Sequence, residues 1–537
     1  MRPWTKNTRF NLLIVAAVWA AVRAFPFTRV SPLFEWEVWE AKKLLDYGFW
    51  ARSGGILDNY FMTGRLAHPW QFNYTNHPYP IIWLFALLYS LGGPWALVLL
   101  VLLVSLGASF LVFSLLKEDF GAGPALFATL LFVTAPEAVF FSTDTSIVAL
   151  GAMFWPLGAY LIRRFKRTST SSSTQAVLLG LMVVVAGQIT WFSLTLVPAF
   201  LLLSAEPNGA WNRLLQLNLR NKLWWAIFAG AGLTVLLFAM QVAFYTPDFS
   251  ELWKYAFGQA GMHDMEASRW RMLMGVFLKG SVLVGPSLML GLVGGVAVWL
   301  RQRTSPLLVR ASGLYLALFL LAVIALTRFA FRERSLYSYL VFPASCLTAW
   351  ALEQIRANLW RWSLLLAACV GIAYIQAKTS IPSWSRTSRE LGRVIASHTQ
   401  PEDLVLSNLR EMHPPFPQWD VGGGGTTRLT ADRMFFLSVT NQNAMADLLR
   451  KFHGESPPVV FLRAESEAID PVLKENLLTR GQLISRIEFQ PVVEPETWAE
   501  TLRSYYWRLQ GKPYVHRTES AATQAQPVTL EFIRVTM

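Results

Sequence analysis

Apolar runs about as long as a bilayer is thick recur along this chain. They cover residues 11–25, 81–116, 124–141, 145–162, 176–203, 224–244, 276–300, 307–326, 336–352 and 364–377. A helix needs about 20 apolar residues to cross the hydrocarbon of a membrane. Only 15% of the residues are charged, whereas a water-facing domain carries about 25%. With a mean hydropathy of +0.36, the chain reads as a mainly α-helical polytopic membrane protein. Disorder, collagen, a coiled coil and a disulfide scaffold are excluded. Cys346 and Cys369 both lie in apolar stretches, so neither a structural disulfide nor a thiolate zinc site is expected. The net charge of +13 does not call for nucleic acid, because Lys and Arg are retained in the cytoplasmic loops of such proteins.

Basic residues assign the sides. Arg2, Lys6 and Arg9 precede the first run and place the N-terminus in the cytoplasm. No small-x-small cleavage site follows that run, so it reads as a retained helix and not a signal peptide. Residues 26–80 form a long outer segment, with an amphipathic helical spacing over 35–50 suited to the membrane interface. The run 81–116 is interrupted by Gly92, Gly93 and Pro94 and is expected to cross once as a broken helix. Arg163, Arg164, Lys166 and Arg167 close the run 145–162 and mark its cytoplasmic end. Parity then makes 176–203 cross an even number of times, as two short helices meeting near Trp191. Residues 245–271 and 327–335 become outer loops, and the total is about eleven spans.

After Lys378 the composition turns polar, with charges of both signs. Period-2 apolar stretches at 404–406 and 459–462 alternate with a helical pattern at 445–452, so an α/β domain is expected on the outer face. The division is a transmembrane domain over 1–377 and an extramembrane domain over 378–537. A Gly- and Pro-rich irregular segment at 413–427 reads as either a binding loop or disorder.

Acids at the outer boundary are the candidate chemistry. Glu35, Glu37 and Glu40 follow the first span; Glu37 and Glu40 share a helix face, and Glu40 fits a solvated face. Glu35 and Glu37 flank Trp36 where the chain leaves the membrane. Partial desolvation there raises a carboxylate's pKa and suits a general base. Asp144, between two spans, fits either a helix cap or a second functional acid. His77 lies at the mouth of the broken helix, where a structural role is the simpler reading. His68 and His77 are nine residues apart with no further ligand at regular spacing, a thin metal signal. Arg328, Arg332 and Arg334, with Tyr337 and Tyr339, surround a short outer loop. Snorkelling would explain them, but three outer arginines run against the positive-inside tendency, and an anionic headgroup in the same plane would account for them. Arg269 and Arg271 are secondary candidates on the neighbouring loop.

In order, these parts are a first span, then an outer loop with acids ending Ala41-Lys42-Lys43-Leu44-Leu45-Asp46-Tyr47-Gly48. A His77-Pro78-Tyr79-Pro80 entrance follows, then Asp144 before a span ending in Arg163-Arg164, then a late span with Arg334, Tyr337 and Pro343 before the tail. This layout resembles the GT-C superfamily of polytopic glycosyltransferases, in particular its protein O-mannosyltransferase and lipid A aminoarabinose transferase branch. The resemblance implies sugar transfer from a polyprenyl-phosphate carrier to an acceptor (protein, lipid or glycan) on the outer or luminal face of a membrane; the compact loops and the absence of a long disordered cytoplasmic tail point to a bacterial inner membrane. It implies a catalytic carboxylate at Glu35 or Glu37, where the family motif usually has an aspartate. It matches Asp144 to the acid of the second outer loop. Near Arg332 to Tyr339, where members often have His or Lys, it leaves only Arg334 and Tyr337 as stand-ins. Arg332 and Arg269 join these as candidates for the lipid phosphate on their outer position, with His77 in the substrate loop. The tail would help recognise the acceptor. Family members differ in metal dependence, so a divalent metal stays open. Two other readings remain: a transporter or flippase of lipid-linked molecules, and a non-catalytic assembly subunit. A transporter predicts charges near the bilayer midplane and an inverted repeat, whereas the mid-span residues read as apolar apart from Gln188 and Gln241.

Overall fold

The computed structural model describes residues 8–27, 45, 80–140, 147–167, 173–205, 221–245, 269–301, 305–325 and 335–354 of the helical part. In the tail it describes 391, 394–395, 397–400, 403–408, 435–438, 442–443, 445–446, 458–465, 469–490 and 527–535. Among the described residues, three helical stretches are long and apolar enough to cross a membrane, at Trp95–Phe120, Lys222–Met240 and Leu307–Ile324. Shorter apolar helices pack among them.

The first helix, α1 (Thr8–Phe27), matches the first expected span. Next, α2 (Pro80–Phe120) has 41 residues; straight, it would run about 60 Å, twice the hydrocarbon thickness. The chain bends instead at the glycine pair read from the sequence. Gly93 adopts φ 63°, ψ −160°, a conformation open to glycine and strained for other residues, and Pro94 starts the second arm. Ile81, Ile82 and Phe85 of one arm join Leu97 and Val101 of the other in a single buried cluster that includes Leu150.

Two expected spans are each divided. The run 124–141 becomes α3 (Ala122–Thr134) and a short α4 (Pro136–Phe140). Ala135 between them is extended (φ −56°, ψ 131°), as the residue before a proline tends to be. The run 276–300 becomes α9 (Arg269–Val284) and α10 (Pro286–Arg301), parted by Gly285 at φ 99°. In both cases a proline without an N–H opens the second helix, and an apolar average does not register it.

The remaining helices are α5 (Ile147–Arg167), α6 (Ser173–Ile189), α7 (Val197–Ser204), α8 (Lys222–Tyr245), α11 (Leu307–Ala325) and α12 (Ser338–Gln354). The break expected near Trp191 is present. Thr190 is extended, and a 3-10 segment, Trp191–Leu196, joins α6 to α7. The ends carrying basic residues meet. Arg167 grips Glu118 with two bonds of 3.0 and 2.8 Å, Arg163 pairs with Asp119, and Lys117 bonds Thr8. Lys166 donates to the carbonyls of Leu203 (3.2 Å) and Ala205, and Asn221 donates to that of Ser204 (3.1 Å). These bonds satisfy carbonyls that the end of α7 leaves open. The start of α1 and the ends of α2, α5 and α7 therefore share one end of the bundle, so α6 and α7 run out and back. The last expected span, 364–377, lies outside the described residues, as does Cys369. Cys346 is a buried free thiol.

Helices approach closely where side chains are small. Gly291 and Gly295 of α10 lie against Thr348 and Leu347 of α12, and Gly187 of α6 lies against Thr234 of α8.

In the tail, strands β1 (Leu404–Ser407), β2 (Phe435–Ser438), β3 (Val459–Ala464), β4 (Gly481–Phe489) and β5 (Val528–Val535) form one sheet in the order β2-β1-β3-β5-β4. Strands β2, β1 and β3 are parallel, while β5 is antiparallel to both β3 and β4. A helix, α13 (Pro471–Arg480), starts at Asp470, whose side chain accepts from the backbone N–H of Val472. The stretches 404–406 and 459–462 are the heart of β1 and β3, with Val405, Val460, Leu462, Leu530 and Phe532 in one core. Of 445–452, Met445 and Ala446 are described and helical. Residues 413–427 lie outside the described residues.

Candidate functional site

Glu35, Glu37, Glu40, His77, Asp144, Arg328, Arg332 and Arg334 lie outside the described residues, as do the side chains of Arg269 and Arg271. The structure does describe the elements that flank Asp144, Arg334 and Arg269, and these converge at the bundle end opposite Arg163. Gly151 of α5 is seven residues beyond Asp144. A Cβ placed there would meet the hydroxyl of Tyr339, the Oγ of Ser193 and the methyl of Thr190. Tyr339 is five residues beyond Arg334. The 3-10 turn Ser335–Tyr337 leads into α12, and the Tyr337 hydroxyl donates to the carbonyl of Val276 in α9 at 3.3 Å. Tyr337 is 1% exposed, and its ring lies against Gly280. Thus the lead-out from Asp144, the turn after Arg334 and the helix opened by Arg269 are in contact.

A buried hydroxyl cluster ties this end together. Tyr339 and Ser193 share a hydrogen bond of 2.9 Å, and the Phe192 ring stands edge-on to Tyr339 with centroids 4.9 Å apart. Ser193 lies in the 3-10 segment that follows the break at Thr190. Its backbone is satisfied locally, since Thr190 accepts from the N–H of Phe192 at 3.4 Å.

The feature that sequence reasoning missed is Arg23. It lies in α1, 3% exposed, inside the apolar run 11–25. One guanidinium nitrogen, Nη1, donates to the carbonyls of Val133 (3.1 Å) and Trp19 (3.3 Å). The other, Nη2, donates to the carbonyl of Ala138 (2.9 Å) and to the Oγ of Ser105 (3.4 Å). The guanidinium carbon stands 5.0 Å from the centre of the Trp19 ring, and the indole N–H of Trp19 donates to the same Ser105 Oγ at 3.2 Å. The carbonyl of Val133 is available because the helix breaks at Ala135 before Pro136. Glu137, in the first turn of α4, is also completely buried. The runs 11–25 and 124–141 therefore each hold a buried ionisable residue near one end, which leaves the reading of the mid-span residues as it stood. Hydropathy averaged over twenty residues hides one charge. The signals that could have found them are Trp19 one turn before Arg23 and the Pro136-Glu137 pair. Arg23 sits about 6 Å from the end of α1, so it marks a helix end and not the midplane that a transporter reading requires.

Among the described residues no three His, Cys, Asp or Glu side chains converge to hold a metal ion.

The chain has the GT-C fold that its layout suggested. It superposes on ArnT from Cupriavidus metallidurans bound to undecaprenyl phosphate with a TM-score of 0.55 at 12% identity, over 97% of each chain. The same protein in its apo state gives 0.50 at 14% identity, over 88% of this chain and 95% of that one. The archaeal oligosaccharyltransferase AglB from Archaeoglobus fulgidus, in complex with an inhibitory peptide and a dolichol-phosphate, gives 0.48 at 12% identity, over 89% of this chain and 72% of its own. No protein-family profile and no curated protein matches the sequence.

Proposed function

We propose that this chain is a membrane glycosyltransferase that moves a sugar from a polyprenyl-phosphate carrier to an acceptor at the outer face of a bacterial inner membrane. The observation that carries the reading is the end-to-end GT-C superposition on a protein solved with undecaprenyl phosphate. It is joined by the convergence of elements flanking Asp144, Arg334 and Arg269 at one end of the bundle. In this reading the prenyl chain stays in the bilayer and the phosphate stays at the interface. The reacting carbon then lies just outside the membrane, where the acids wait. Glu35 or Glu37, with Asp144, takes the proton of the acceptor hydroxyl while its oxygen attacks in line and the lipid phosphate leaves, inverting the anomeric centre. Arg332, Arg334 and Arg269 balance the charge growing on the leaving phosphate. The Tyr337 hydroxyl already holds Val276, so Tyr337 contributes by fixing the turn that follows Arg334. The outer segment 26–80, with His77, covers the site and limits hydrolysis. The tail, 378–537, meets the acceptor on the same face.

The test is recognition of the lipid phosphate. Purified chain should melt several degrees higher with undecaprenyl phosphate than with undecaprenol, because a ligand that binds only the folded state stabilises it in proportion to its occupancy. Equal shifts with both lipids, or no shift with either, would contradict the reading.

A further inference from the structure

We propose that Arg23 is a positioning residue for this transfer, holding the corner between α3 and α4 against α1 so that the two acid-bearing outer segments keep one relative placement. The inference rests on the proposed glycosyltransferase function. It starts from four donations made by one planar group: to Trp19 of its own helix, Ser105 of α2, Val133 of α3 and Ala138 of α4. Four elements are thus pinned at a single point. Two of them lead directly to the proposed chemistry. The segment after α1 reaches Glu35 eight residues beyond Phe27, and the segment after α4 reaches Asp144 four residues beyond Phe140.

The chemistry of the residue fits the task. A guanidinium offers five donors in a rigid fork, so it can satisfy several carbonyls at fixed angles, whereas an ammonium is one compact charge on a flexible stem. Its burial is costly in hydrocarbon, and a helix pair needing only contact would use Leu or Ala there. The carbonyl of Val133 stands open because Pro136 breaks the helix, and Trp19 and Ser105 complete a cage around the group. The arrangement closes around a break, which is where a corner would otherwise be free to shift. Glu137, one residue before the Ala138 carbonyl, is buried as well.

The test compares Arg23→Gln and Arg23→Lys in the full-length chain, with two readouts. Hydrogen exchange of peptides covering 133–146 reports the corner directly, and steady-state transfer separates kcat from the donor KM. Arg23→Gln is expected to raise exchange across 133–146 and to lower kcat at least tenfold with donor KM within twofold of wild type. Arg23→Lys should recover part of kcat, since charge and length are kept. Unchanged exchange and kcat in Arg23→Gln would overturn the proposal. So would a parallel loss of kcat, donor affinity and melting temperature that Arg23→Lys does not relieve, because that describes general unfolding. If Arg23→Gln does not fold, Arg23→Lys decides: lowered kcat at constant KM supports positioning, and wild-type kcat overturns it. If the wild-type chain shows no transfer, the glycosyltransferase reading falls, and the exchange data alone then decide whether Arg23 holds the corner.

Discussion

Asp144→Asn is expected to lower sugar transfer by about 10²–10⁴-fold, the range that a positioned general acid or base contributes, while leaving insertion and melting temperature unchanged. Glu35→Gln and Glu37→Gln should divide: one should match that loss, and the other should show a small effect. The amide keeps the shape of the side chain and removes the negative charge and the proton-accepting role, so a large loss reports chemistry and not packing. The segment 26–80 supplies one acid and the connection between α4 and α5 the other. Transfer rates of the three purified variants beside wild type check this. Full activity in all three would remove the acids from the mechanism.

Gly295→Leu should abolish folded protein or lower its stability by about 3 kcal/mol, the upper end of what overpacking costs. A Cβ at Gly295 would meet the backbone carbonyl and Cβ of Leu347, and one at Gly291 would meet the side chain of Thr348. Both lie on the face where α10 packs on α12. A backbone carbonyl cannot swing aside as a side-chain tip can, so the helices must separate and forfeit their contacts. Because α12 also carries Tyr339 and follows the Arg334 turn, separation would loosen the proposed site. Gly294→Leu is the control, since its nearest neighbour is the Ala351 methyl at 3.6 Å, an ordinary contact. Melting curves of the two variants in detergent should differ widely; equal curves would mean that α10 and α12 do not depend on this close approach.

Much of the helical layout was legible because length and hydropathy act on stretches of twenty residues. The Gly92-Gly93-Pro94 bend was legible because glycine and proline act locally, and the Trp191 break because parity demanded a turn there. The breaks at Ala135 and Gly285 were not, because a single proline inside an apolar run changes the average little. Arg23 was illegible for a different reason. Its acceptors at Val133 and Ala138 are 110 and 115 residues away in the chain, and carbonyl oxygens carry no residue identity. The two parallel strands with the plainest apolar pattern, β1 and β3, were found. In contrast β4, whose residues are mostly exposed, has too weak an alternation to announce itself. The acids and arginines of the site were legible only as outer-boundary charges. Their roles came from the resemblance of layout, because chemistry between residues so far apart in sequence depends on a fold that no spacing encodes.

The most direct measurement places the purified chain in lipid nanodiscs with a radiolabelled polyprenyl-phosphate sugar and a crude outer-envelope acceptor fraction. A nanodisc encloses no second compartment, so any conversion there is chemistry and not transport. The account predicts that label leaves the donor lipid, that free polyprenyl phosphate accumulates in equal amount, and that the Asp144→Asn chain does neither. Donor lipid left intact by wild type, or consumed equally by Asp144→Asn, would contradict it.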